Sequence, residues 1–202
     1  MSNDRICVLA SHNAHKLAEI RAILADEFDK VLSLKDVGIE VDIDETGTTF
    51  EQNAYIKAKA IADLLPGYAV VADDSGLCVP CLGGAPGVYS ARYAGEVCDD
   101  HANNRLLLHN LHEREKTLPR DRNAYFVSAV VLLFPDGRYI SGEGRVDGTI
   151  LDEYRGNGGF GYDPLFLCTE LNKTFAEATA GEKNSVSHRA RALAALKRKL
   201  HA

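Results

Sequence analysis

The sequence predicts an α/β domain with a mixed sheet, with α+β as the open alternative. Strand-sized apolar runs and amphipathic stretches at helical spacing both recur along the chain. They do not alternate strictly, which speaks against a purely parallel βαβ repeat. Residues 125–134 and 139–150 flank the turn Pro135-Asp136-Gly137 and read as an antiparallel hairpin.

The elements follow in order. Residues 6–10 form a short buried strand and lead into the polar loop 11–16. Leu17, Ile20, Leu24 and Phe28 then recur at helical spacing, which predicts a helix over 14–27. Thr49 followed three residues on by Gln52 is a capping box. It opens a helix with Phe50, Ala54, Ala58, Ile61 and Leu65 on one face, ended by Pro66-Gly67. Residues 68–72 are a strand that ends at Asp73-Asp74-Ser75-Gly76, and residues 83–87 are a loop. A helix over 103–111 precedes a charged surface connection over 113–122. Beyond the hairpin, residues 156–161 are too rich in glycine to be anything but loop. The chain closes on a helix over 187–200 with Ala190, Leu193, Leu196 and Leu200 facing inward. No internal repeat interrupts residues 1–202, which read as a single domain.

Composition narrows the function. With 202 residues, 46% hydrophobic and 26% charged, the chain is that of an ordinary folded protein. The longest apolar run, near 127–134, is strand-sized, so no membrane span is expected. The opening Met1-Ser2-Asn3-Asp4-Arg5 lacks a leader pattern, and a cytoplasmic location is the expectation. A net charge of −6 gives no broad basic face for nucleic acid. It leaves room for a small polyanion held by a metal and a few placed cations. Five scattered cysteines, Cys7, Cys78, Cys81, Cys98 and Cys168, do not form a disulfide framework. Cys78 and Cys81 are a C-x-x-C pair without a second pair for zinc and without a helix to open.

Three features carry chemistry. His15 and Lys16 open the first helix, and His188 and Arg189 open the last, with Lys183 just upstream. Cations against the positive end of a helix dipole make sense where an anion such as phosphate shares the spot, although such side chains can also extend into solvent. Acidic groups gather at Asp42, Asp44 and Glu45 and at Asp73-Asp74, in keeping with a Mg²⁺ site that takes one or two carboxylates. Phe160 and Tyr162, set among glycines and followed by Asp163, offer a surface on which a base could stack, or plug a core. A Walker A pattern, a dinucleotide fingerprint and a nucleophile elbow are all absent from the sequence.

Read together, several blocks resemble the inosine/xanthosine triphosphate pyrophosphatase family. They are Ser11-His12-Asn13-Ala14-His15-Lys16, Glu45 to Phe50 with Asn53-Ala54, Ala72 to Leu77, and Gly84 to Tyr93. Gly159 to Pro164 and Lys183 through Ser187-His188-Arg189 complete the set, in order along nearly the whole chain. The resemblance implies an elongated mixed sheet flanked by helices, with two lobes around a substrate cleft, assembled as a homodimer. It implies that ITP, dITP and XTP are hydrolysed to the monophosphate and pyrophosphate with Mg²⁺.

The site residues follow by the same resemblance. Ser11, His12, Asn13, Ala14, His15 and Lys16 would hold the phosphates. Glu45 and Asp74 would meet the metal, Asp74 would activate water, and Ser75 would contact substrate. Phe160, Gly161, Tyr162 and Asp163 would wall the base, with Lys183, His188 and Arg189 around its keto group. Asn53, Lys57 and Asp73 are further candidates for the same place. The family usually opens its first motif with Thr-Gly, where this chain has Ser11-His12. Serine keeps the hydroxyl; histidine gives up glycine's backbone freedom. The competing readings are a pyrophosphatase for modified pyrimidine nucleotides and a nucleotide sensor without turnover.

Overall fold

The computed structural model describes residues 5–95 and 98–202, so the opening Met1 to Asp4 lies outside the described residues. The fold is mixed α/β, on a seven-stranded sheet in the order β2-β1-β3-β4-β5-β6-β7. Its strands are β1 (Ile6–Leu9), β2 (Lys30–Ser33), β3 (Ala69–Cys78), β4 (Asn123–Leu133), β5 (Tyr139–Ile150), β6 (Phe166–Cys168) and β7 (Lys173–Thr174). The helices are α1 (Ala14–Leu24), α2 (Phe50–Leu64), α3 (Asp100–Glu115), α4 (Ala180–Val186) and α5 (His188–Leu200). β1 pairs in parallel with β2 and β3, and β6 pairs antiparallel with β5 and β7, so the sheet is mixed as the sequence predicts. The chain resolves into two compact units.

The first unit comprises the described residues of Met1–Asp74 with Ser128–Gly144 and Arg189–Ala202. Alternate residues of its strands feed two cores, as a pleat of period two requires. Cys7, Leu9, Val71, Val130 and Leu132 pack with Ile20 and Leu24 of α1 and with Ala192, Leu193 and Leu196 of α5. Val8, Val70, Ala72, Val131 and Leu133 pack with Ala54, Ala58 and Ile61 of α2. Strands covered on both sides read as unbroken apolar runs, which is why periodicity alone could not assign their faces. Gly142 lets β5 approach α5 closely: a Cβ there would stand 2.2 Å from the Ala192 carbonyl oxygen.

Three expectations need correction here. α1 ends at Leu24 rather than 27, and Phe28 belongs to the turn that leads into β2, a four-residue strand just beyond the helical spacing that the sequence reading did not assign. The Thr49 hydroxyl caps α2 by accepting from the Gln52 N–H at 3.2 Å, but the Gln52 amide reaches back to Thr48 instead of Thr49. β3 does not stop at Ala72; it runs through Asp73-Asp74-Ser75-Gly76 to Cys78.

The second unit, Ser75–Val127 with Arg145–His188, has a single core. Phe126, Phe166 and Phe175 cluster there with Leu107 and Leu111 of α3 and with Leu165 and Tyr162. Phe126 and Phe166 meet edge to face at 4.7 Å. α3 opens earlier than expected because the Asp99 carboxylate caps the N–H groups of His101 and Ala102. The charged stretch 113–122 is not all surface. Arg122 is 4% exposed and pairs with Glu115 at 2.7 Å and Asp152 at 3.0 Å. α4, with a complete capping box between Thr179 and Glu182, escaped the sequence reading. No described cysteine stands in a disulfide, and Cys81 donates its thiol to the Asp121 carbonyl at 3.0 Å. No described helix is long and apolar enough to cross a membrane.

Candidate active-site residues

The sequence-derived candidates fall into two sets, one in each unit. In the first, Asp73 and Asp74 stand side by side in β3 and point to opposite faces, as consecutive strand residues must. Asp73 turns toward α1 and α5. Its carboxylate accepts from Lys16 at 2.7 Å, from Arg189 at 3.2 Å and from the Ser128 hydroxyl at 2.5 Å. Burial pushes the Asp73 carboxyl up, but Arg189 and Lys16 outweigh it and hold it well below the usual carboxylate range. Arg189 also pairs with Glu19. Lys16 and Arg189, each singled out at a helix start, therefore face one carboxylate of the chain itself.

Asp74 turns toward α2. Asn53 donates to it at 3.1 Å and the Lys57 ammonium lies 3.3 Å away. The same ammonium is 2.8 Å from Glu45, so one cation sits between two carboxylates. Burial raises the Asp74 pKa against the pull of Lys57. Asn53 and Lys57, one helical turn apart, thus join Glu45 and Asp74 in one cluster. The Asn53 side chain also accepts from the Gly47 N–H at 2.8 Å. A Cβ at Gly47 would come within 2.6 Å of that oxygen, so only glycine lets the loop approach. Asp42 and Asp44 are exposed and stay out of the cluster.

The loop before α1 is ordered by its own side chains. Asn13 caps the helix by accepting from the N–H groups of His15 and Lys16 at 2.9 and 3.1 Å. The Ser11 hydroxyl accepts from the Asn13 N–H at 3.1 Å. His12 reaches the Val41 carbonyl at 3.1 Å, while Ala14 and His15 are exposed. Ser75 is the part-exposed residue that follows Asp74 in β3.

In the second unit, the Asp163 carboxylate accepts from the Phe160 N–H at 3.0 Å and from the Lys183 ammonium at 2.8 Å. That ammonium lies 4.8 Å from the centre of the Phe160 ring. Tyr162 is no stacking surface. It is 5% exposed, belongs to the core and donates its hydroxyl to the Ser90 carbonyl at 2.8 Å. Phe160 is the part-exposed aromatic of the pair. His188 stacks on Phe126 at 4.8 Å and is 5% exposed.

The Arg189 guanidinium, expected around the keto group, pairs with Asp73 and Glu19 within the first unit. Sequence reading also missed Glu19, Ser128, Asp100 and Asn104. Ser128 alone carried a signal, as a hydroxyl in the middle of an apolar strand.

The Ham1 family profile matches residues 7–199. The chain belongs to the Ham1 family. A Clostridium perfringens protein named dITP/XTP pyrophosphatase is 48% identical over 195 residues, covering 94% of each chain. A Bacillus subtilis protein of the same name is 46% identical and covers 96% of each. Among solved structures, the Staphylococcus aureus Ham1 protein matches with a TM-score of 0.83 at 40% identity, over 97% of this chain and 98% of its own.

Proposed function

We propose that this Ham1-family chain hydrolyses dITP, ITP and XTP to the nucleoside monophosphate and pyrophosphate, keeping non-standard purines out of DNA and RNA. The observation that carries the reading is the cluster of buried Asn53, Lys57 and Asp74 with part-exposed Glu45. It is supported by relatives that bear the name dITP/XTP pyrophosphatase at 46–48% identity. In this reading the chain acts as a homodimer in the cytoplasm, and neither nucleic acid nor membrane is a partner.

Glu45 and Asp74 suit Mg²⁺. Both offer only hard carboxylate oxygens, and the 2.8 and 3.3 Å approaches of Lys57 mark the place as one that accepts a cation. Among the described residues no group of three or more His, Cys, Asp and Glu could hold a metal ion. Mg²⁺ shared with substrate phosphates needs only one or two carboxylates. When bound, Mg²⁺ would offset the charge of the phosphate chain and of the leaving pyrophosphate.

Asp74 is the base that takes a proton from water, with Asn53 orienting its carboxylate. Lys16 and the loop from Ser11 to His15 receive the phosphates, and Ser75 contacts the substrate. Phe160 supplies the flat surface for the base, while Asp163 holds Lys183 beside it. A 6-keto group accepts where adenine's amine donates. A donor-lined site therefore leaves groups unpaired against adenine, which costs about 1–3 kcal/mol each.

The test is a substrate panel of dITP, XTP, dATP, dGTP and dTTP, with and without Mg²⁺, in which pyrophosphate is resolved from phosphate. Mg²⁺-dependent pyrophosphate release from dITP and XTP is expected. Activity confined to pyrimidine nucleotides, or binding without turnover, would overturn the proposal. Asp74→Asn is expected to lower kcat by about 100-fold or more while nucleotide binding persists. Wild-type turnover in that variant removes Asp74 as the base.

A further inference from the structure

Gly161, between Phe160 and Tyr162, is held entirely through its backbone. Its φ of +62° lies in the left-handed region, and a Cβ there would meet nothing, so glycine serves conformation rather than space. A glycine in that region can reorient its flanking peptides unless something fixes them. Both are fixed from α3. The Gly161 N–H donates to Asp100 Oδ2 at 2.7 Å, and its carbonyl accepts from Asn104 Nδ2 at 2.9 Å. Asp100 and Asn104 are one helical turn apart, so a single face of α3 presents an acceptor and then a donor to the same residue.

The neighbouring Asn103 shows what an ordinary buried amide does here. It uses both ends, accepting from the Ala94 N–H at 2.7 Å and donating to the Ala91 carbonyl at 2.8 Å. Asn104 is as deeply buried, at 2% exposure, yet its Oδ1 has no hydrogen-bond partner among the described residues. A buried oxygen left so costs free energy. The asymmetry places the value of Asn104 in its one bond to the loop.

We propose that Asp100 and Asn104 are positioning residues for base recognition. By fixing both peptides of Gly161 they preset the Phe160 ring in the attitude that receives a purine. The inference rests on the reading of Phe160 as the base surface. Without the clamp the loop must order itself when the base arrives, which weakens binding and leaves the bond-breaking step alone.

The experiment uses the full chain with Mg²⁺ and compares wild type with Asp100→Ala, Asn104→Ala and Asp100→Asn. KM and kcat are measured for dITP, together with inhibition by inorganic tripolyphosphate, which has the phosphate chain and no base. Each alanine variant is expected to raise KM for dITP about ten-fold, the effect of one lost hydrogen bond to a charged or buried partner, with kcat within about two-fold. Asp100→Asn keeps an acceptor oxygen and is expected to restore KM. Inhibition by tripolyphosphate is expected to be unchanged throughout. Unchanged KM in both alanine variants overturns the clamp, as does an equal loss of affinity for dITP and tripolyphosphate, which would mark general damage. Wild-type chain that fails to turn over dITP sinks the underlying function, and the clamp with it.

Discussion

Asp73 and Asp74 are identical neighbours whose environments give them opposite tasks. Asp73, 1% exposed, is compensated by Lys16, Arg189 and Ser128 and is fixed as an anion. Asp74 has Asn53 and Lys57, and burial makes its proton harder to lose. The difference comes from strand alternation, and the sequence hid it by suggesting that β3 ended before the pair. Arg189 shows the same limit. Reading it at a helix start suggested an external anion, whereas its charge goes to Asp73 and Glu19. Arg189→Ala leaves the buried Asp73 and the part-exposed Glu19 short of a partner and is expected to lower stability by about 3 kcal/mol. Urea unfolding measures this; a loss under 1 kcal/mol would mean that Lys16 and Ser128 suffice for Asp73. The candidate residues themselves were legible because their motifs are long. Their partners were not, because Glu19, Asp100 and Asn104 reach them across the fold.

At the scale of elements, what the sequence showed depended on length and punctuation. α2 was readable from Thr49 to Pro66-Gly67 because a cap, an apolar stripe and a breaker agree. β2, β6 and β7 have two to four residues, too few for any periodicity. α4 was hidden in a polar stretch, although Thr179 and Glu182 carry the box that starts it. That box makes a pH prediction. Lys173 and the Thr179 N–H and hydroxyl hold the exposed Glu182 carboxylate down, from 4.5 to about 2. Because folding lowers this pKa, ionised Glu182 stabilises the folded chain fully above pH 4.5 and loses its effect as pH falls toward 2. Wild type is expected to exceed Glu182→Gln in urea midpoint at pH 6, with a smaller gap at pH 3.5. A gap that is constant with pH would assign the stabilisation to packing instead of charge.

Over the whole molecule, a net charge of −6 coexists with cations placed one by one against carboxylates. The fold class was legible because β4 and β5 are long and the turn between them is punctuated by Pro135 and Gly137. Which stretches make up each unit was not, because the first unit draws on three separate stretches of chain and the second on two. The ammonium of Lys57, at 2.8 and 3.3 Å from Glu45 and Asp74, bears on how the molecule endures scarcity. It is a counter-ion tethered by a covalent stem, which diffusion cannot carry off. Under the proposed function, such a resident charge leaves the fold complete without a metal, unlike small domains that fold only around their ion. Chelator is therefore expected to silence the enzyme while leaving its melting temperature within about 2 °C of that in metal-free buffer. A collapse of the melt on chelation would show that a metal was part of the frame. If the melt holds, ion supply acts on this molecule as a throttle, and starvation leaves it idle and intact.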